Sequence, residues 1–473
     1  MEYFVGVDLG TSSVKFVVLD ESLKEVYALS RELRIGFASD GSVLYDPEAV
    51  LRTVEGELRA LSSKLGGDLY VGFSGHSPSL VVMDEQGRSL ETIVWLDTRA
   101  SSVLDEAAKL MGEKEWYYKT GLRLSPIFFP AKILWIKRFK PSVLERARWV
   151  AQFKDYVVYN LTKQAYTDYS SASETQLFNI RGFYDDEILG LLGLDESKLF
   201  EPAASHTVLQ HASNPRTWLV LGGVDSVVAA LGGGVVESST ASLSAGSSAC
   251  VDIPVARPVL DYEKGFETYY HVLPGWFVLE ASLPSAGLTV DKVLELAGLE
   301  RGVEEEVGLD KPSGLVLVPY LTGSRSPDWD SSARGLVYGL SLSTTRLDLL
   351  KAAYEGIGFW AREVLELSRG LGLEVRQVVV SGGLSSSNLF NTITSSILGL
   401  EVKKPRVRDL SPYGAALLAA IGAGKIKFSD VPRLIEFEQV YSPRPELVVA
   451  YNALFQVYRK MKRVYKELGG LVE

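Results

Sequence analysis

Tyr3-Phe4-Val5-Gly6-Val7-Asp8-Leu9-Gly10-Thr11-Ser12-Ser13-Val14-Lys15-Phe16-Val17-Val18-Leu19 is the stretch that decides the fold. Tyr3 to Val7 and Val14 to Leu19 are apolar runs of the length and composition of buried strands, and the residues between them read as a tight polar turn. The product is a β-hairpin whose tip carries a glycine, three hydroxyls and a flanking carboxylate. The same device recurs further along: Ala241 to Ala245, the turn Gly246-Ser247-Ser248, then Ala249 to Ile253. A glycine run, Gly232-Gly233-Gly234, stands before the second copy as a candidate hinge. Two such halves suggest a duplicated α/β fold with a cleft between them. Two unrelated hairpins are the competing reading.

Strand and helix signals alternate between and beyond the hairpins. Leu69 to Phe73 reads as a strand running into Ser74-Gly75-His76-Ser77-Pro78, and Leu80 to Met83 as another. Lys132 to Phe139 and Pro141 to Arg148 read as short helices. Trp218 to Leu221 is a strand ending in Gly222-Gly223-Val224-Asp225, with a helix from Ser226 to Leu231. Val375 to Val380 ends in Ser381-Gly382-Gly383-Leu384, a helix covers Asn388 to Leu398, and a small-residue helix covers Ala415 to Ile421. Pro445 to Leu468 is amphipathic, with Tyr451, Leu454, Phe455 and Tyr458 on one face.

Composition narrows the function classes. The 473 residues are 46% hydrophobic and 23% charged, ordinary for a globular chain of two or three domains. A net charge of −10 argues against general nucleic-acid binding. The opening lacks the basic flank of a secretion signal, and no apolar run is long enough to span a membrane. The single cysteine, Cys250, excludes an internal disulfide framework and a thiolate metal cluster. The cytoplasm is the expected compartment.

The chain has no Gly-x-x-x-x-Gly-Lys-Ser/Thr loop, so phosphate binding falls to the hairpin tips. At the first, Gly10 allows close backbone approach to an anion, Thr11 and Ser12 supply donors, and Lys15 supplies charge. Asp8 is compatible with a polyphosphate only through a bridging Mg2+ and its waters. An ordinary polar turn is the plain alternative. Asp225 lies at the C-terminal end of a buried strand, where open α/β sheets bind ligands, and suits a base acting on an alcohol during phosphoryl transfer. A helix N-cap is its plain alternative. Gly382 and Gly383 form a flat shelf that suits an adenine, or a simple strand-to-helix turn.

Taken in order, these segments resemble the FGGY carbohydrate kinases. Asp8 to Lys15 resembles the family's first phosphate loop. Ile93-Val94-Trp95-Leu96-Asp97-Thr98-Arg99, Ala131 to Ile136 and Phe153-Lys154-Asp155-Tyr156 resemble further family segments. Gly222-Gly223-Val224-Asp225 matches the segment of the catalytic Asp. Pro319 to Gly335, and Gly335 to Leu340 followed by Asp348 to Glu355, match later family blocks.

The resemblance implies two actin-like (ribonuclease H-like) ATPase domains flanking a central cleft: residues 1–232, with the sugar side and catalytic Asp225, and residues 233–473, with the nucleotide side. It implies ATP and Mg2+. It also places Gly246 and Ser247 at the phosphates, Gly287 near the nucleotide, Gly382, Gly383 and Ser387 near adenine, and His76, Ser77 and Ser226 with Asp225 at the sugar. A small sugar or polyol is the expected partner, without nucleic acid or membrane, and a homodimer is left open. Three departures loosen the substrate: His76-Ser77-Pro78 stands where xylulokinases show Gln-Met-His, Ser226 where Asn or Gln is usual, and Ala-Gly-Ser-Ser where Gly-Thr-Ser is common. A ketopentose such as xylulose is the first expectation, with gluconate or a short polyol as the alternative. A non-kinase actin-fold ATPase or nucleotide switch is the rival of another class.

Overall fold

A computed structural model describes residues 1–468. The opening hairpin forms as its pattern requires: β1 (Glu2–Leu9) pairs antiparallel with β2 (Ser13–Leu19). Phe4, Val5, Val7, Leu9, Val14, Phe16 and Val18 are all buried. β3 (Glu25–Glu32) adds antiparallel to β2; β4 (Asp68–Gly75) adds parallel to β1, and β5 (Thr217–Val224) parallel to β4.

The second half repeats this plan. β6 (Thr240–Ala245) pairs antiparallel with β7 (Ala249–Val255), and β8 (Phe277–Leu283) adds antiparallel to β7. β9 (Gln377–Ser381) then adds parallel to β6, and β10 (Glu401–Pro405) parallel to β9. Each half thus holds the same five-stranded core, extended at its edges by short strands into sheets of six and seven. The duplication read from the two hairpins extends to whole sheets, and the fold is the expected pair of actin-like units.

Helices cover both sheets. Those that bear on the cleft are α1 (Asp225–Gly232), α2 (Ala286–Ala297), α3 (Asn388–Leu398) and α4 (Leu410–Gly422). α4 starts five residues before the helical stretch read from the sequence, and the second short helix ends at Glu145 rather than Arg148. In the long helix Pro445–Leu468, Tyr451, Phe455 and Tyr458 are fully buried, as its amphipathic pattern implies.

α4 belongs in sequence to the second half, yet it packs on the first sheet. A Cβ at Gly6 would lie 1.7 Å from the Pro412 carbonyl oxygen, and one at Gly72 2.1 Å from that of Ala415. Backbone therefore touches backbone here, which explains why the helix is built of alanines and glycine. α4 also presses on α1, closing the seam beside the Gly232 run.

Candidate active site

Two equivalent turns face the cleft. In the first, the Gly10 N–H donates to the Ser13 carbonyl (3.0 Å); in the second, Gly246 N–H donates to that of Ser248 (2.8 Å). Ser12, Ser247 and Ser248 are exposed at these tips. Thr11 Oγ1 accepts from Trp95 Nε1 (3.0 Å), and Tyr45 Oη donates to the Gly10 carbonyl (3.3 Å), so the first tip is braced from outside the hairpin. The second turn is held from the other side. Gly287, at the start of α2, donates its N–H to the Gly246 carbonyl (2.9 Å), and Gly382 packs on the Ala245 carbonyl.

The halves meet at the first turn. Lys15 lies opposite Asp8 in the hairpin register and pairs with Asp409, the residue before α4. Asp409 stands at the N-cap position, but its carboxylate serves Lys15 instead of capping the helix. A cavity of about 620 Å³ opens beside this pair, lined by Lys15, Gly382, Ser386 and Arg408. A neighbouring cavity of about 550 Å³ is lined by Gly383, Leu384, Ser387, Tyr354 and Glu304. The glycine shelf and Ser387 are thus adjacent to open space, with Ser387 Oγ also capping α3 through the Phe390 N–H (3.2 Å).

Asp8 sits at the C-terminal end of β1 and accepts from Ser74 Oγ (3.0 Å). Burial pushes its carboxyl up to about 6, against the pull of Ser74 and Lys15, and the Asp409 charge adds to the rise. Asp225 follows the end of β5. Register places Asp8 opposite Ser74 and Ser74 opposite Gly223, so the two aspartates end strands two positions apart, roughly 10 Å at ~4.8 Å per strand. Burial, with the Asp8 and Glu280 charges adding to it and the Ser226 N–H (2.9 Å) holding it back, lifts the Asp225 carboxyl to about 7. The Asp8 charge therefore acts on Asp225 from a strand end two positions away.

The approach to Asp225 is heavily built. β5 carries a bulge between Val220 and Gly223. Gly222 has φ +76°, and a Cβ there would lie 1.6 Å from the Phe73 carbonyl oxygen, so only glycine fits. The buried Lys154 ammonium donates to the Leu221 carbonyl (3.0 Å) and pairs with Asp155 and with Asp168 (3.0 Å). Ser170 Oγ accepts from the Val224 N–H (3.1 Å) and donates to Asp168. This buried ion network fixes the last residues before the carboxylate.

Next to Asp225, Ser226 Oγ donates to Tyr269 Oη (3.0 Å), whose own proton goes to Glu280 (2.7 Å). Ser77 accepts from Gln152 Nε2 (2.9 Å). His76 is buried rather than surface-exposed: it stacks on Phe153 at 5.0 Å, with its ring nitrogens on Ser79 Oγ (2.7 Å) and Tyr45 Oη (3.3 Å). Burial and the Lys132 charge depress its pKa to about 3, so it is neutral.

Sequence reading singled out Asp8, Asp225 and both turns; register brings Asp8 and Asp225 to strand ends two positions apart in one sheet. It missed Ser74, Asp168, Ser170, Tyr269, Asp252 and Glu280. The available signal was a carboxylate interrupting an apolar strand, as Asp252 and Glu280 both do. Among the described residues, no group of three or more His, Cys, Asp or Glu side chains is disposed to hold a metal ion, and no helix is long and apolar enough to cross a membrane. A single carboxylate binding a hydrated cation together with phosphates remains compatible with Asp8, whose raised pKa marks a charge short of compensation.

Comparison with known proteins gives the family. The chain is 28% identical over 486 residues to the xylulose kinase of Staphylococcus xylosus, covering 97% of this chain and 99% of that one. It is 25% identical over 492 residues to the gluconokinase of Bacillus subtilis (strain 168), covering 98% and 96%. The crystal structure of a xyloylose kinase from Brucella ovis superposes with a TM-score of 0.93 at 26% identity, covering 98% of this chain and all of that one. Residues 3–237 match the N-terminal domain, and residues 241–423 the C-terminal domain, of the FGGY family of carbohydrate kinases, and to that family of ATP-using sugar phosphotransferases this chain belongs.

Proposed function

We propose that the chain transfers the γ-phosphoryl group of ATP to a terminal hydroxyl of a ketopentose of the xylulose type, with Asp225 as the base. The observation that supports this reading is that Asp8 and Asp225 end strands two positions apart in one sheet, with the Asp8 charge acting on Asp225. Asp225 accepts the hydroxyl proton: a carboxyl held at about 7 is half ionised at neutral pH and basic enough to draw that proton. Asp8 would hold Mg2+, which would supply charge neutralisation for the phosphates. Gly10, Thr11, Ser12, Gly246 and Ser247 present backbone N–H groups and hydroxyls to the phosphate oxygens, with Lys15 adding a positive charge. Gly287 supports the second turn, and Gly382, Gly383 and Ser387 border the adenine. Ser77 and Ser226 face the sugar, with His76 behind Ser77 as part of the wall. Residues 1–232 and 233–473 act as the two domains, closing about the glycine run at 232–234.

ADP release measured over ketopentoses, aldonates and short polyols tests the reading. One acceptor should raise ADP release far above the rate with ATP alone, and Asp225→Asn should remove that increment while leaving ATP binding intact. ADP release indifferent to every acceptor would sink it.

A further inference from the structure

The helix that begins with Asp225 has no side chain capping its first turn, because Val224 stands at the N-cap position. The carboxylate is oriented by the next residue: the Ser226 N–H donates to Asp225 Oδ1 (2.9 Å). Ser226 is fixed in turn by its hydroxyl, bonded to Tyr269 Oη (3.0 Å), and Tyr269 passes its own proton to Glu280 Oε2 (2.7 Å). Ser226 belongs to the first half, and Tyr269 and Glu280 to the second. This chain of bonds therefore ties the base to the opposite sheet.

Tyr269 is held as a rigid arm. It is 1% exposed and shares a buried apolar cluster with Val224, Val227 and Val228. It stands on the strand Glu267–Tyr270, which pairs antiparallel with β8 and sets Tyr269 opposite Val278, so its ring crosses diagonally to Glu280 on the same face. The flanking residues reach the other way, to the first half: the Thr268 N–H donates to the Gly121 carbonyl (2.9 Å) and the Tyr270 N–H to Ser173 Oγ (3.1 Å). A strand gripped from both halves leaves Tyr269 Oη little freedom. A second contact to Asp225, from Ser411 Oγ, reaches its carbonyl oxygen at 3.5 Å, the long limit of a hydrogen bond, and grips the backbone instead of the carboxylate.

From this geometry we infer that Tyr269 is a positioning residue for the base: through Ser226 it aims the Asp225 carboxylate, and it takes its own direction from Glu280. The inference rests on Asp225 being the transfer base. Tyr269 itself touches neither acceptor nor nucleotide; its hydroxyl keeps the first turn of α1 in register with the second sheet. A carboxylate aimed from across the cleft is correctly placed only while the two halves keep their spacing, so the geometry of the base is coupled to closure of the cleft.

Tyr269→Phe keeps the ring and deletes the hydroxyl. With saturating D-xylulose as acceptor, or D-gluconate or glycerol where one of these is faster, kcat at pH 8 should fall about tenfold to hundredfold, the cost of misplacing a catalytic group by about an ångström. KM for ATP should stay within about twofold of the parent. Ser226→Ala should reproduce the loss, and the double variant should be no slower than the slower single one, since both break one chain. Glu280→Ala should cost as much, whereas Glu280→Gln keeps an oxygen for the Tyr269 proton and should stay within about threefold of the parent, a distinction that general damage to the fold does not make. If Tyr269→Phe does not fold, Ser226→Ala decides alone. A kcat for Tyr269→Phe or Ser226→Ala within about twofold of the parent overturns the inference. So do losses that multiply in the double variant, equal losses in the two Glu280 variants, or a matching rise in KM for ATP. Loss of turnover in Asp225→Asn with none in Tyr269→Phe removes only the positioning role; full turnover in Asp225→Asn removes the base reading on which it rests.

Discussion

Asp225→Asn should make the ligand-free protein harder to melt at pH 8 while stopping its chemistry. The substitution keeps the side chain's shape and deletes its charge. In the folded chain, burial and the Asp8 and Glu280 charges hold the carboxyl at about 7 instead of its ordinary 3.8. A carboxyl whose folded pKa is raised costs stability as pH climbs from the free value to the folded one, and the loss is constant above that. At about 1.4 kcal/mol per pH unit, the ceiling is about 4 kcal/mol at pH 8 and about 1.6 kcal/mol at pH 5. Water in the open crevice lowers both figures, but the order holds. Thermal melts followed by circular dichroism should therefore place the variant above the parent at pH 8, with the gap narrowing by more than half at pH 5. Both proteins carry the same buried His and Lys side chains, so the comparison isolates this one carboxyl. The same variant should lose 10²- to 10⁴-fold in kcat, the usual weight of a positioned base. A gap independent of pH, or a variant that melts lower at pH 8, would refute the claim that Asp225 is held in a shared negative field.

Three further outcomes follow from the same geometry. For the parent enzyme, log kcat/KM for the acceptor should rise with unit slope below pH 7 and level above it, because only ionised Asp225 takes the proton; a flat profile from pH 5.5 to 8.5 counts against the assignment. Gly222→Ala forces a left-handed alanine, costing about 1–2 kcal/mol, onto a backbone overlap 1.6 Å from the Phe73 oxygen, so the denaturant midpoint should fall and kcat with it; unaltered kinetics would show that the bulge does not aim Asp225. Lys154→Met strands Asp155 and Asp168 without their cation, at about 3–5 kcal/mol, and equilibrium unfolding should register that loss at neutral pH.

What could be read from the sequence was local. Each hairpin is set by strands adjacent in the chain, so the apolar pattern and the polar tip were enough to place β1–β2 and β6–β7, with Gly10 and Gly246 at the turns. Asp225 was legible because it follows a buried strand directly. The rest depends on partners remote in sequence. The alanines of α4 signal a close contact without naming Gly6 and Gly72, roughly four hundred and three hundred and forty residues away, as its object. Glu267, Glu280 and Asp252 become neighbours only through strand register, which no single strand reveals. Lys154 drew notice as part of a short segment, while its work lies in holding Leu221 and Asp168, contacts visible only after folding.

The coupling of Asp8 to Asp225 gives the cleft an order of events. Burial and the Asp8 charge together raise the proton affinity of Asp225, so at neutral pH Asp225 is a half-protonated base in the ligand-free chain. Asp225 becomes the stronger acid once the charge at Asp8 is neutralised, because the repulsion that lifted its pKa is gone. At roughly 10 Å and an effective dielectric constant of about 20, that repulsion is about 1.7 kcal/mol, a little over one pH unit. By linkage, the deprotonated form of Asp225 would strengthen the binding of any cation at Asp8 by the same factor. On the proposed reading, a cation held at Asp8 would favour the ionised form of Asp225, and an idle cleft, with Asp225 partly protonated, would be poorly equipped to activate water.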